Sequence, residues 1–307
     1  MNPIEARFNE DRLDWLTCAD GVERLIHSWL PSNYEPKGVL LAIHGGMAHA
    51  GDYCTLAEAF KPLGWVTSSF DMRGHTGQRR ILINRFADFL EDLELFIDWV
   101  ETAFPDLPIF IVGHSMGGLI AAHYELKQHH ANRSIAKKHR PTIKGYVLSS
   151  PFWANAVKLP GFLVTLSGLL STLLPNFKAP LEDFTDTLTH DKAITARHRQ
   201  DEANLLRGQE ASFRFAHELL QAQKLIPAQI QYWSRPVFAA IAGDDCLSDS
   251  KQVLQLLDEI SRSLLTQQFY ADNYHENFNE LNRAEIFDAI AEWLDAQLAS
   301  SHGDQSI

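Results

Sequence analysis

Ile109-Phe-Ile-Val-Gly-His-Ser-Met-Gly-Gly-Leu119 is the stretch that decides how this chain folds. Four apolar residues stop at Gly113, and an apolar pattern at helical spacing resumes from Gly118, so the segment reads as strand, sharp turn, helix. Ser115 occupies the centre of Gly113-His-Ser-Met-Gly117, a Gly-x-Ser-x-Gly nucleophile elbow in which a strained turn presents a serine hydroxyl. A Cβ at position 113 or 117 would crowd the neighbouring strand or helix, and glycine removes it. A glycine-rich turn with an idle serine has the same pattern, so the reading depends on partners elsewhere in the chain.

Working outward, apolar runs at residues 39–43, 65–70, 145–149 and 236–242 read as strands buried on both faces. A further strand is expected at 267–271. Between the strands, helical spacing is expected at 53–61, 86–104, 118–128, 250–261 and 284–298, with a polar tail from Ser300 that frays. Upstream, residues 13–18 and 23–30 flank Ala19-Asp-Gly21 as an antiparallel hairpin. Alternating strands and helices imply an α/β fold with a mostly parallel sheet, whose ligands bind beyond the carboxyl ends of the strands. The rhythm lapses after Pro151, which divides the chain into core at 1–151, an inserted helical cap at 152–233 and core again at 234–307. Cap helices are expected at 193–206 and 211–223.

Serine is a poor nucleophile at neutral pH and needs a histidine, itself oriented by an acid. In such sheets the acid follows a late strand and the histidine follows the last one. Asp244, Asp245 and Asp249 stand after the 236–242 strand, and His275 stands after the 267–271 strand. Asp245 is favoured because Leu247 two residues on turns the loop back toward the core. Asp244 is the rival, and Asp249 fits a helix cap ahead of Ser250. Oxyanion donors are expected from the backbone N–H of Met116, just after the nucleophile, and of Gly46 in His44-Gly-Gly46.

Composition closes off other classes. An excess of 39 acidic over 27 basic residues, a net charge of −12, disfavours nucleic acid as a partner. The three cysteines, Cys18, Cys54 and Cys246, lack ligand spacing, and Cys246 reads as a packing residue. His123, His129, His130 and His139 read as a solvated helix end, and no metal or organic cofactor is expected. The first residues lack a basic region followed by an apolar core, so a cytoplasmic location is expected. The stretch from Leu159 to Phe177 carries no charged residue; only fourteen residues separate Pro160 from Pro175, too few to span a bilayer that needs about twenty. This stretch could line an acyl tunnel and rest on a membrane surface, or pack against the core.

In order along the chain, Ala19-Asp-Gly21, His44-Gly-Gly46, Asp71-Met-Arg-Gly-His75, Gly113-His-Ser-Met-Gly-Gly118, Leu148-Ser-Ser-Pro151, Ala242-Gly-Asp-Asp-Cys-Leu-Ser-Asp249 and Tyr274-His275 resemble the α/β-hydrolases. Within them the chain is similar to the monoglyceride lipase and lysophospholipase branch, also called serine aminopeptidase-like hydrolases. The resemblance implies an α/β-hydrolase fold, Asp245 as the acid, His275 as the base, and monoacylglycerols or lysophospholipids as substrates, cleaved through an acyl-enzyme. A soluble carboxylesterase, thioesterase or peptidase with the same triad is the second reading, and a catalytically silent ligand-binding protein is a third. One departure stands out: Thr76-Gly-Gln-Arg79 follows His75 where the family usually has Gly-x-Ser. Oligomeric state is not legible.

Overall fold

A computed structural model describes residues 7–32, 35–75, 81–131, 143–157, 161–180, 182–208 and 210–303. The Thr76-Gly-Gln-Arg79 departure and His139 lie outside the described residues. In chain order the elements are β1 (Arg12–Thr17), β2 (Glu23–Trp29), β3 (Gly38–Ile43), α1 (Cys54–Phe60), β4 (Trp65–Phe70), α2 (Ala87–Ala103), β5 (Ile109–His114), α3 (Met116–Ala131) and β6 (Ile143–Ser149). Next come α4 (Gly161–Leu173), β7 (Lys178–Pro180), α5 (Lys192–Ala203), β8 (Glu210–Ser212) and α6 (Phe213–Gln229). The chain closes with β9 (Val237–Ala242), α7 (Ser250–Leu257), β10 (Leu265–Tyr270) and α8 (Arg283–Gly303).

Eight strands form one sheet in the order β1-β2-β4-β3-β5-β6-β9-β10. The hairpin β1–β2 is antiparallel, β2 meets β4 antiparallel, and the remaining pairs are parallel. This is the α/β-hydrolase fold. Alternation along each central strand feeds two separate cores. Val39, Leu41, Ile109 and Ile111 face the layer of α2 and α3, whereas Leu40, Ala42, Phe110 and Val112 face α1 and α8. Helices on both faces explain why the strands are continuously apolar rather than half polar.

Strand order fixes where a ligand can sit. From β3 the chain steps to β4 on one side, and β5 lies on the other, with Ile43 paired to Gly113. The loops leaving β3 and β5 therefore diverge around a crevice at the switch point. His44-Gly45-Gly46 and Ser115 border it.

Several sequence expectations are corrected. α8 continues through Ser300 to Gly303, so the expected frayed tail is helical as far as it is described. α6 runs to Gln229 rather than 223 despite Pro227, because Leu219, Ala222, Ile226 and Ile230 extend one buried stripe past the proline. The short pair β7–β8 falls in the insertion, where three-residue strands leave no periodicity to read. His123 is not solvated: its Nε2 donates to Ala222 O at 3.0 Å and its ring lies 4.8 Å from that of Phe86. No helix of the described residues is long and apolar enough to cross a membrane.

Candidate active site

The elbow is as tight as its glycines imply. Ser115 adopts φ of 53°, the left-handed region that costs a residue with a Cβ about 1 kcal/mol or more. The turn is pinned on three sides. Ser115 N–H donates to Ser149 O at 3.0 Å, while its carbonyl accepts from Leu119 and Phe152 N–H at 3.2 and 3.0 Å. A Cβ on Gly117 would lie 1.9 Å from Ile43 O, so α3 can approach β3 only with glycine there. One on Gly113 would meet Gly117 O at 2.7 Å.

The loop after β3 is shaped by His44. Its Nε2 accepts from Met72 N–H at 3.0 Å, so the ring proton sits on Nδ1, which donates to Gly45 O at 2.8 Å. Burial first, then the charge of His75, pushes the His44 imidazole well below its ordinary range and keeps it neutral. Gly46 is brought against Met116: a Cβ on Gly46 would lie 3.9 Å from Met116 Cβ. Met116 opens α3, where an N–H has no acceptor within the helix. The Asp71-Met-Arg-Gly-His75 segment braces the crevice from below. Asp71 Oδ1 accepts from Ala50 N–H at 2.9 Å, and Arg73 makes a two-pronged pair with Asp92 at 2.5 and 2.6 Å.

Asp245 and His275 meet across the crevice rim. His275 Nδ1 lies 2.7 Å from Asp245 Oδ2, and the other carboxylate oxygen accepts from Leu247 and Ser248 N–H, both at 2.9 Å. Burial alone would raise the Asp245 carboxyl, but the charge and hydrogen bond of His275 and those two backbone donors hold it below the usual carboxylate range. His275 Nε2 is buried and has no hydrogen-bond partner among the described residues. A buried imidazole nitrogen left free is costly unless it has a use. The neighbouring His114 ring, 4.8 Å away, is pushed down to about 4 by burial and by His275, so it adds no charge at neutral pH.

Of the rival aspartates, Asp244 is exposed and Asp249 caps α7 by accepting from Gln252 N–H at 3.0 Å, the role its position suggests. Cys246 is half-buried with its thiol 3.3 Å from Thr187 Oγ1, and burial pushes that thiol up, as befits a packing residue.

Ser115, Gly46, Met116 and His275 all border a cavity of about 590 Å3. Residues between β6 and β9 roof it. Its apolar lining from that insertion includes Phe152, Val157, Phe184, Leu188, Phe215, Leu219 and Leu220. Of the Leu159-to-Phe177 stretch singled out in the sequence, residues 159–160 and the side chains of 161–165 lie outside those described, and residues 166–177 do not reach the cavity. The described part of α4 packs on α6 instead, where a Cβ on Gly168 would meet the His217 ring at 3.4 Å.

A family model described as serine aminopeptidase, S33, matches residues 34–282. The chain belongs to this family. Its branch is that of the monoglyceride lipases. Mouse monoglyceride lipase is 27% identical over 94% of this chain and 92% of its own length. Phospholipase YtpA of Bacillus subtilis is 27% identical over 87% of this chain and 98% of its own. The chain spans 29% of the length of an uncharacterized abhydrolase domain-containing protein of Dictyostelium discoideum, also 27% identical. A soluble variant of monoglyceride lipase from Saccharomyces cerevisiae, solved with a substrate analog, shares the fold at a TM-score of 0.79 and 22% identity, covering 96% of this chain and 98% of that one.

Sequence reasoning missed the polar surroundings of the histidine. Glu276, Arg207 and Asp52 are all buried or nearly so beside the site. Adjacency to His275 was the one available signal, and it pointed only to Glu276.

Proposed function

We propose that this ester hydrolase works through Ser115, His275 and Asp245, forming an acyl-enzyme on Ser115 from a monoacylglycerol or lysophospholipid. The observation that carries the reading is the His275 Nδ1 to Asp245 Oδ2 bond, which leaves a buried, unpartnered Nε2 on the cavity that Ser115 enters. In that tautomer Nε2 is a lone-pair base. It takes the Ser115 proton as Oγ attacks the acyl carbonyl, then returns it to the departing alcohol. Gly46 and Met116 N–H hold the oxyanion that develops. Water attacks the acyl-enzyme by the same route in reverse, and no metal or cofactor enters the scheme.

The acyl chain is assigned to the apolar wall of Phe215, Leu219 and Leu220, and residues 152–233 act as the cap that provides it. The volume lies within the roughly 300–1,000 Å3 range of small-molecule sites. Mouse monoglyceride lipase and the Bacillus phospholipase favour the same substrate class by likeness. In parallel assays of fatty-acid release, monoacylglycerol or lysophospholipid is expected to exceed short-chain esters in kcat/KM by tenfold or more. Turnover confined to short soluble esters, with an intact protein, would reject the lipid assignment in favour of a soluble carboxylesterase.

The same reading places the cap on a membrane surface. Leu169 and Leu173, one turn apart on α4, and Phe177 just beyond its end are 55%, 65% and 56% exposed. Such a stripe is costly in water and favourable in the interfacial layer of a bilayer. A net charge of −12 opposes anionic lipid, so the partner is a neutral surface. Wild-type protein is expected to co-sediment with phosphatidylcholine vesicles, and Leu169→Asp with Leu173→Asp to weaken that binding at least fivefold while leaving short-ester turnover within twofold. Equal sedimentation of both proteins would remove the membrane from the account.

A further inference from the structure

Between the insertion and the core lies a buried set of charged groups that the hydrolytic scheme does not use. Arg207 is its centre. Its Nη1 lies 2.5 Å from Asp52 Oδ2 and its Nη2 3.3 Å from Glu276 Oε1. Asp52 belongs to the turn Ala50–Tyr53 that continues from the His44-Gly45-Gly46 loop, and Glu276 immediately follows His275. Glu276 is further fixed by Asn279 Nδ2 at 2.8 Å and, through its own N–H, by Leu188 O of the insertion at 2.9 Å.

The residue after the arginine adds a backbone link. Gly208 N–H donates to Met47 O at 3.0 Å, and Met47, next to Gly46, sits at φ of 66°. A Cβ on Gly208 would lie 2.6 Å from Ile81 Cδ1, so this approach needs the glycine or a displaced isoleucine. Arg207 is delivered to its place by the end of α5, where Leu206 and Arg207 N–H both return to Asp201 O at 2.8 and 3.3 Å. Two consecutive residues of the insertion thus hold the loop with Gly46 and the loop with His275.

We infer that Arg207 is a positioning residue: it ties the oxyanion loop to the histidine loop, so that seating the cap on the core and bringing Gly46 and His275 to working separation are one event. The inference rests on the serine-hydrolase reading above.

A guanidinium suits the task because its rigid fork can engage two carboxylates from different loops at once, whereas an ammonium is a point charge without that fork. The charges around it are mixed. Asp52, Asp201 and Glu276 face Arg207 with His49, His198 and Arg197 beside them, and Asp245, His114 and Glu276 face His275. Burial alone would raise Glu276, yet His198 and Arg207 hold it down to about 2. His49, Asp52 and Asp201 come close enough together to suggest a cation site, but the Arg207 guanidinium already neutralises Asp52 at 2.5 Å.

The test uses the full chain, a short soluble ester such as p-nitrophenyl butyrate, and the rate of fluorophosphonate labelling of Ser115. Arg207→Lys keeps the charge and loses the fork. It is expected to lower kcat and the labelling rate about tenfold, with KM within twofold and the pH profile unmoved, because misplacement of about 1 Å costs up to roughly 100-fold in rate. Arg207→Met loses both. It should fall further and move the acid limb of kcat/KM upward by about half a pH unit, since the carboxylates left without their cation favour the imidazolium form. Cooperative melting of both variants together with wild-type kcat, labelling rate and pH profile would overturn the inference. Should neither variant melt cooperatively, Asp52→Asn decides: it cuts one link while leaving Arg207 paired to Glu276, and an unchanged kcat there overturns the inference as well. Wild-type protein that does not label at all refutes the serine-hydrolase reading instead.

Discussion

Ser115→Ala is expected to lower ester turnover by about 10^4-fold or more and to abolish fluorophosphonate labelling, with the melting profile little changed. No other serine borders the cavity among the described residues, and the one threonine there, Thr185, has its hydroxyl engaged by Glu202 Oε1 at 2.8 Å. A companion substitution tests the backbone argument. At φ of 53° a Cβ is strained, and alanine keeps that strain while glycine releases it. Ser115→Gly should therefore melt above Ser115→Ala by the equivalent of about 1 kcal/mol, roughly 2 °C for a chain of this size, while being equally inactive. The serine would then be held at a cost to the fold, as expected where geometry serves chemistry rather than stability. Retention of labelling in either variant would move the nucleophile elsewhere. Equal melting of the two would show that the elbow carries no strain of its own.

What the sequence discloses and what it hides divide along a physical line. β3, β5 and β9 are legible because strands buried on both faces must be apolar throughout, and few other elements of that length are. Ser115 and His275 are legible for a different reason: the elbow is a local motif, and the sheet topology dictates which loop must hold its partner. Asp245 is legible less firmly, favoured over Asp244 only by the turn expected at Leu247; in the structure the Leu247 and Ser248 N–H groups hold one of its oxygens. The roof is the least legible part. Arg207 and Asp52 are 155 residues apart, and Arg207 and Glu276 are 69 apart, so no spacing in the sequence marks them as a cluster. The apolar stretch after Leu159 reads equally as an acyl wall, a membrane face or a surface packed on the core, because periodicity tells which face of a helix is apolar but not what will cover it. α6 supplies part of the described wall, and part of the α4 surface faces solvent.

Asp245→Asn is expected to lower kcat by about 10^4-fold while leaving the fold and KM nearly intact. The reason lies in which atoms the carboxylate already serves. One oxygen accepts from two backbone N–H groups, those of Leu247 and Ser248, and the other accepts from His275 Nδ1. An asparagine must keep its carbonyl oxygen toward the two backbone donors, because turning it would set its own N–H2 against both of them. The amide nitrogen then faces Nδ1 and donates to it. A Nδ1 that accepts is unprotonated, so the ring proton moves to Nε2, the atom that has to receive the proton of Ser115. The variant would have every residue in place and the proton on the wrong nitrogen. Two controls separate this from general damage to the loop. Asp244→Asn, at the exposed neighbour, should keep kcat within twofold. Asp249→Ala, which removes the cap of α7, should cost about 1 kcal/mol of stability and leave kcat within twofold. A fall of less than tenfold in Asp245→Asn, measured by steady-state hydrolysis alongside a normal melting curve, would dismiss Asp245 as the orienting acid; a comparable fall in Asp244→Asn would transfer the role to it.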